Sequence, residues 1–229
     1  MRLGSLAGGK LLTAIGLLLS IFLLLPSAQA SSHIVWERCL GGSDDDKAYS
    51  IQQTITGNYI IAGGTHSWNK NVEDNRGFWD YWIVNLSSSD NLIWKRCLGG
   101  IWDETAYSIQ PTLDGDYIVA GSTHSKDEDV SGIHRNKECQ DYCNPCPADF
   151  WVLKLSSSGG WGGWRKCLGG TDDDVAYSIQ NTTDGGYIVA GYTESNDGDV
   201  KGLHGGKDFW AVKLDSSGNL VWQKCLGGT

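Results

Sequence analysis

The chain has 229 residues, with 31 Gly, 11 Trp, 7 Cys, 4 Pro, a 40% hydrophobic content and a formal net charge of −9. That apolar fraction is enough to build a packed core and excludes a disordered chain. The acidic balance excludes nucleic acid and anionic membrane surfaces as partners, because both are held through clustered Lys and Arg.

In chain order, residues 1–30 read as a signal peptide. Arg2 and Lys10 give a basic start, Leu11 to Leu25 is an apolar run, and Pro26-Ser27-Ala28-Gln29-Ala30 ends in a small-x-small pattern. A bilayer-spanning helix needs roughly 20 apolar residues, which this run does not reach. The sequence therefore predicts export to the cell surface or medium with cleavage after Ala30, and no membrane contact beyond that segment.

Residues 31–229 are organised by a repeat. Trp36-Glu37-Arg38-Cys39-Leu40-Gly41-Gly42 returns at Trp94, Trp164 and Trp222, at spacings of 58, 70 and 58 residues. After each of the first three anchors come an acidic turn, an Ala-Tyr-Ser-Ile-Gln segment (48–52, 106–110, 176–180) and a Tyr-Ile-Ile/Val-Ala-Gly segment (59–63, 117–121, 187–191). An aromatic run ending at Leu86, Leu155 or Leu214 follows. Three copies are complete, about 41–98, 99–168 and 169–226, and the second carries an extra loop at about 135–148. Each copy predicts four short strands. The first has one less buried face. The second and third are apolar on both faces and need cover on both sides. The fourth carries charge at mid-strand, a device of exposed edges. Leu113-Asp114-Gly115, Thr183-Asp184-Gly185-Gly186 and Ser216-Ser217-Gly218-Asn219 supply the turn chemistry.

The predicted fold class is all-β, with four-stranded antiparallel blades of a β-propeller. The pattern resembles the Gly/Asp/Trp-rich propeller repeats of uncharacterised archaeal and bacterial cell-surface proteins, and is more loosely kelch-like. That resemblance implies a surface-exposed propeller and no particular reaction. A lone fourth strand at Ile34 to Leu40 plus three full blades is short of the roughly 4–8 blades that close a ring. The expectation is an open or partial ring, completed by self-association or a protein partner, or continued in a longer reading frame.

The candidate sites are few. His134, Cys139, Cys143 and Cys146 cluster in the inserted loop. They could hold a structural zinc, since one His with three Cys is an accepted set; alternatively Cys139, Cys143 and Cys146 supply a disulfide that staples the loop. Cys39, Cys97, Cys167 and Cys225 share one repeat position and are expected to pack as small apolar residues. Carboxylates at 44–46, 127–129, 172–174 and 197–199 offer oxygen ligands for a structural calcium, or serve simply as turn formers. Seven Trp fall at repeat positions and fill space between blades. Trp68, Trp79, Trp102 and Trp161 do not, and are candidate contacts for surface glycans. Asn85 and Asn181 fit the glycosylation acceptor pattern. No nucleophile elbow or phosphate-binding loop occurs. A non-enzymatic structural or protein-interaction module is the expectation, with a carbohydrate-binding module or a fragment of a larger propeller enzyme as alternatives.

Overall fold

Each repeat folds as an up-and-down meander whose reversals are made at residues that accept positive φ. The structure, a computed structural model, describes residues 34–135 and 146–228. The predicted signal segment 1–30, Cys139 and Cys143 lie outside the described residues. The strands are β1 (Asp46–Gln53), β2 (Tyr59–Thr65), β3 (Asp80–Leu86) and β4 (Leu92–Leu98) in the first repeat. The second repeat gives β5 (Glu104–Pro111), β6 (Tyr117–Thr123), β7 (Asp149–Leu155) and β8 (Trp161–Leu168), and the third β9 (Asp174–Asn181), β10 (Tyr187–Thr193), β11 (Asp208–Leu214) and β12 (Leu220–Leu226). They form three antiparallel four-stranded sheets, each in sequence order. The turn between the third and fourth strands is closed by Gly159 (φ 82°) and Gly218 (φ 77°), and by Asp90 (φ 68°) in the first sheet. Asp tolerates that left-handed conformation better than most residues.

The first strand of every sheet carries a β-bulge. The register of β1 on β2 skips Tyr49, that of β5 on β6 skips Tyr107, and that of β9 on β10 skips Tyr177. The extra residue presses the bulged backbone onto the Gly of the Ala-Gly pair opposite. A Cβ at Gly121 would lie 1.9 Å from the Thr105 carbonyl oxygen, and one at Gly191 would lie 1.9 Å from that of Val175. This close approach explains the Gly in the second strand of each repeat.

Neighbouring sheets pack face to face in one recurring way. β5 lies against β1, β2 and β3, and β9 lies against β5, β6 and β7. Tyr81 of β3 packs on Trp151 of β7, with ring centroids 4.6 Å apart, and its hydroxyl donates to the Trp151 carbonyl at 2.9 Å. Phe150 packs on Trp210 at the same 4.6 Å one sheet further on. The fourth-strand Trp lies edge-on to the Tyr that opens the next sheet's second strand: Trp94 to Tyr117 at 5.8 Å and Trp164 to Tyr187 at 5.7 Å. Two core clusters straddle these junctions, one from Ile60 and Tyr81 to Val119 and Leu153, the other from Ile118 and Phe150 to Val189 and Val212. The doubly buried middle strands are as the apolar runs predict: all of β6 and all but Lys154 of β7 are buried.

Three expectations need amending. Residues 34–40 are not a strand. Trp36 nevertheless packs on Tyr59 at 5.8 Å, in the geometry of Trp94 on Tyr117, so the segment has a fourth strand's place, and among the described residues no third strand pairs with it. Of the four repeat cysteines, Cys97, Cys167 and Cys225 are buried, but Cys39 is exposed, because no sheet covers that segment. Among the described residues no disulfide is formed. Asn85 is buried in β3, with its amide donating to the Tyr117 hydroxyl at 3.1 Å, so the folded chain offers no acceptor nitrogen there. Asn181 is exposed at the end of β9.

Candidate functional sites

The bulges have a consequence beyond strand geometry. By turning Tyr49, Tyr107 and Tyr177 out of the ladder they stack these side chains across three sheets, with centroids 5.1 Å and 5.2 Å apart. The Ala-Tyr-Ser-Ile-Gln repeat announces a tyrosine in each copy, but only the bulge brings the three together.

Beside this row, Lys47, Trp79, Asp103, Thr105, Ser122 and His124 join Tyr49 and Tyr107 around a cleft of about 280 Å³. The Lys47 ammonium sits 4.3 Å from the centre of the Trp79 ring, in cation–π range. The Trp79 N–H donates to Asp103 at 3.2 Å, which pins the loop before β3 to the loop before β5. His66 stacks on both Trp79 (5.8 Å) and Phe78 (6.3 Å), and Phe78 stacks on Trp102 at 5.9 Å with planes 6° apart. Of the four tryptophans outside the Trp repeat positions, Trp79 and Trp102 therefore belong to one aromatic cluster, while Trp161 opens β8 at the position of Leu92 and Leu220. Trp68 stands alone at 65% exposure, and Trp161 lies under the Arg165 guanidinium at 4.4 Å. Lys47, Asp103 and the tyrosines were missed in the sequence because residues from two repeats build the cleft.

A second set of polar groups lies at the sheet junctions. The acid that opens each first strand accepts from the Leu-Gly-Gly loop before it. Gly42, Gly100 and Gly170 each donate their N–H at 2.7 Å, to Asp46, Glu104 and Asp174. Thr123, His124 N–H and Ser125 N–H complete the shell of Glu104. The acid that opens each third strand accepts from the loop preceding it: Asp80 from the Arg76 N–H at 2.9 Å, Asp149 from the backbone and ring of His134 at 2.9 and 2.8 Å, and Asp208 from those of His204 at 3.0 and 2.7 Å. Their second oxygens are buried without a partner. Burial pushes Glu104 up to about 8, Asp80 up to about 6 and Asp174 up to about 7. Burial also raises Asp149, and the Asp149 hydrogen bond raises His134. Asp208 has the equivalent imidazole partner, and the His204 hydrogen bond lowers its carboxyl.

The predicted metal set is distributed accordingly. His134 is engaged by Asp149 at the junction, with Asp199 3.7 Å from its other nitrogen. Cys146 is buried, its carbonyl oxygen 2.5 Å from His124 Nδ1 and its sulfur 3.6 Å from Arg135. Cys139 and Cys143 lie outside the described residues. Among the described residues no group of three or more His, Cys, Asp and Glu side chains is placed to hold a metal ion. Of the acidic turns, Asp127 and Asp197 accept from the residues after the Leu-Gly-Gly loops: Ile101 N–H donates to Asp127 at 3.1 Å and Thr171 N–H to Asp197 at 2.8 Å.

The two end sheets present faces that the inner junctions bury. Ile109 and Ile179 are fully buried, whereas Ile51, at their position in the first sheet, is 57% exposed. Tyr81 and Phe150 are fully buried, whereas Phe209, at their position in the third sheet, is 51% exposed. Between the first sheet and residues 36–40 an apolar groove of about 370 Å³ is lined by Trp36, Ile51, Ile61, Trp82 and Val84. Neither a protein-family model nor a curated protein matches the chain, so the functional reading rests on these geometries.

Proposed function

We propose that this chain is an exported, non-enzymatic interaction module of the propeller type, whose three sheets are blades of an incomplete ring and whose end faces take another protein. One observation carries the reading: the same aromatic knob is buried at two junctions, as Tyr81 and Phe150, and left half-exposed at Phe209. Large exposed apolar groups set in a repeated packing pattern mark an interaction surface rather than scattered surface hydrophobes. Residues 1–30 would direct the module to the cell surface or medium. The test is binding of a hydrophobic dye to residues 31–229, with amide exchange read at both end sheets. Open faces give dye binding that falls on Ile51→Asp and Phe209→Asp; protected amides and no dye binding defeat the reading.

A second reading, glycan binding, is favoured by the cleft at Trp79. A partly exposed Trp79 set among Lys47, Asp103 and two tyrosines puts aromatic surface beside several hydrogen-bonding groups, the combination a sugar ring uses. A glycan array with wild type and Trp79→Ala tests it, and signal unaffected by that substitution removes it.

A further inference from the structure

We infer that the occupant of both uncovered faces is a second copy of this chain, joined head to tail so that Phe209 of one copy enters the groove beside Trp82 of the other. This rests on the reading of the end sheets as interaction faces and adds the identity of the partner.

The argument is that the chain already makes this junction twice. Each internal junction has four parts. The third-strand aromatic lies on the next sheet's Trp, as Tyr81 on Trp151 and Phe150 on Trp210. The N–H of the first-strand acid donates to the carbonyl before the preceding third strand, Glu104 to Trp79 at 2.6 Å and Asp174 to Ala148 at 2.7 Å. A first-strand Ile N–H donates to a Ser hydroxyl one sheet back, Ile109 to Ser50 at 3.3 Å and Ile179 to Ser108 at 3.2 Å. A fourth-strand Trp reaches the next sheet's hairpin, Trp94 donating to Ser157 at 3.0 Å and Trp164 to Ser216 at 3.1 Å.

The third sheet displays one half of that set on its open face: Phe209, the Lys207 carbonyl and Ser178 hydroxyl as acceptors, and the Trp222 indole as donor. The first sheet holds the matching half: Trp82 in the groove, the N–H groups of Asp46 and Ile51, and the 87–91 hairpin between β3 and β4. The two faces differ from each other and each matches the other's complement, which makes the contact heterologous; such contacts close into rings when the rotation allows.

Residues 36–40 stand in the way and give way. Trp36 and Arg38 hold the segment against the first sheet, through Tyr59 and through Asp90 at 3.3 Å. Its sequence, Trp-Glu-Arg-Cys-Leu, nearly repeats the Trp222-Gln223-Lys224-Cys225-Leu226 of β12. Only β12 is tied into a ladder, pairing with β11 from Phe209↔Leu226 to Leu214↔Leu220. Residues 36–40 make no backbone hydrogen bond among the described residues. When a second copy docks, its β12 takes the fourth-strand place and the segment is released, so Trp36–Leu40 is a removable cover over the groove.

The experiment is sedimentation and light scattering of residues 31–229, which contain the whole compact unit Trp36–Thr229, over a concentration series. A two-copy species is expected. Phe209→Asp and Ile51→Asp alter side chains that are exposed in the single copy and should each weaken it by about thirtyfold, as for loss of an apolar interface anchor. An equimolar mixture of the two variants regains a one-to-one pair through its one intact junction, which contact between like faces cannot do. Trp36→Ala with Arg38→Ala should tighten the pair by loosening the cover; weakening overturns the release of the segment. A chain that stays single while its end faces bind dye overturns the second copy as occupant and leaves the interaction reading standing. Protected faces defeat both.

Discussion

Asp80 and Glu104, 24 positions apart and on different sheets, meet across the Cα of Gly99: a Cβ there would lie 2.3 Å from Asp80 Oδ1 and 2.5 Å from Glu104 Oε2. Asp149 and Asp174 flank Gly169 in the same way. Each junction thus buries two carboxyl groups side by side, and like charges so placed disfavour full ionisation. Gly99 and Gly169 are there because any side chain would enter the carboxyl pair.

Stability should fall as pH rises from 5 to 8. The folded-state values of Asp80, Asp174 and Glu104, about 6, 7 and 8, lie above their unfolded values. The folded state therefore holds more protons in that window, and stability declines through it. His134, raised by Asp149, acts in the same direction, since its contribution is complete below its unfolded value and is lost as pH passes the folded one. Calorimetric melting at pH 5, 6.5 and 8 checks this. Asp80→Asn, whose amide can donate from the unpartnered Oδ1 position, should flatten the decline; an unchanged slope refutes the assignment.

Gly121→Ala should destabilise the chain by about 3 kcal/mol, because its Cβ would strike the Thr105 carbonyl at 1.9 Å and the Tyr81 hydroxyl at 2.6 Å. Gly115→Ala serves as the control. It has φ of 86° and nothing within 4 Å of the added carbon, so only backbone strain of about 1 kcal/mol opposes it. Urea unfolding of the two variants should separate them by a clear margin.

Of the four repeat-position thiols, Cys39 alone should react with an alkylating reagent in the native chain. Burial pushes the Cys97 and Cys167 thiols far above the ordinary range, which starves them of thiolate. Peptide mapping after brief labelling reads this directly; native labelling of Cys97 or Cys167 would contradict the packing of those junctions.

Expression of the whole reading frame in a secreting host should yield a chain beginning at Ser31. N-terminal sequencing of the exported product is the measurement, and a retained Arg2-to-Ala30 segment would argue for an anchor instead.

Local structure was legible in the sequence. The strands beginning at Tyr59, Tyr117 and Tyr187, the turns at Gly115, Gly185 and Gly218, and the grouping into three equal sheets were legible because alternation, apolar runs and turn residues act over a few neighbours. Part of the candidate cleft was legible too, in Trp79 and Trp102. What the tertiary structure decided depends on residues far apart in the chain. The bulges that align Tyr49, Tyr107 and Tyr177 need a Gly on the facing strand. The carboxyl pairs at Gly99 and Gly169 form only when two sheets pack. Asn85, which matches an acceptor pattern in sequence, is buried by Tyr117 of the next repeat. The contrast between Phe150 and Phe209 is the sharpest case: the two occupy equivalent positions in similar strands, and only the presence or absence of a neighbouring sheet makes one core and the other surface.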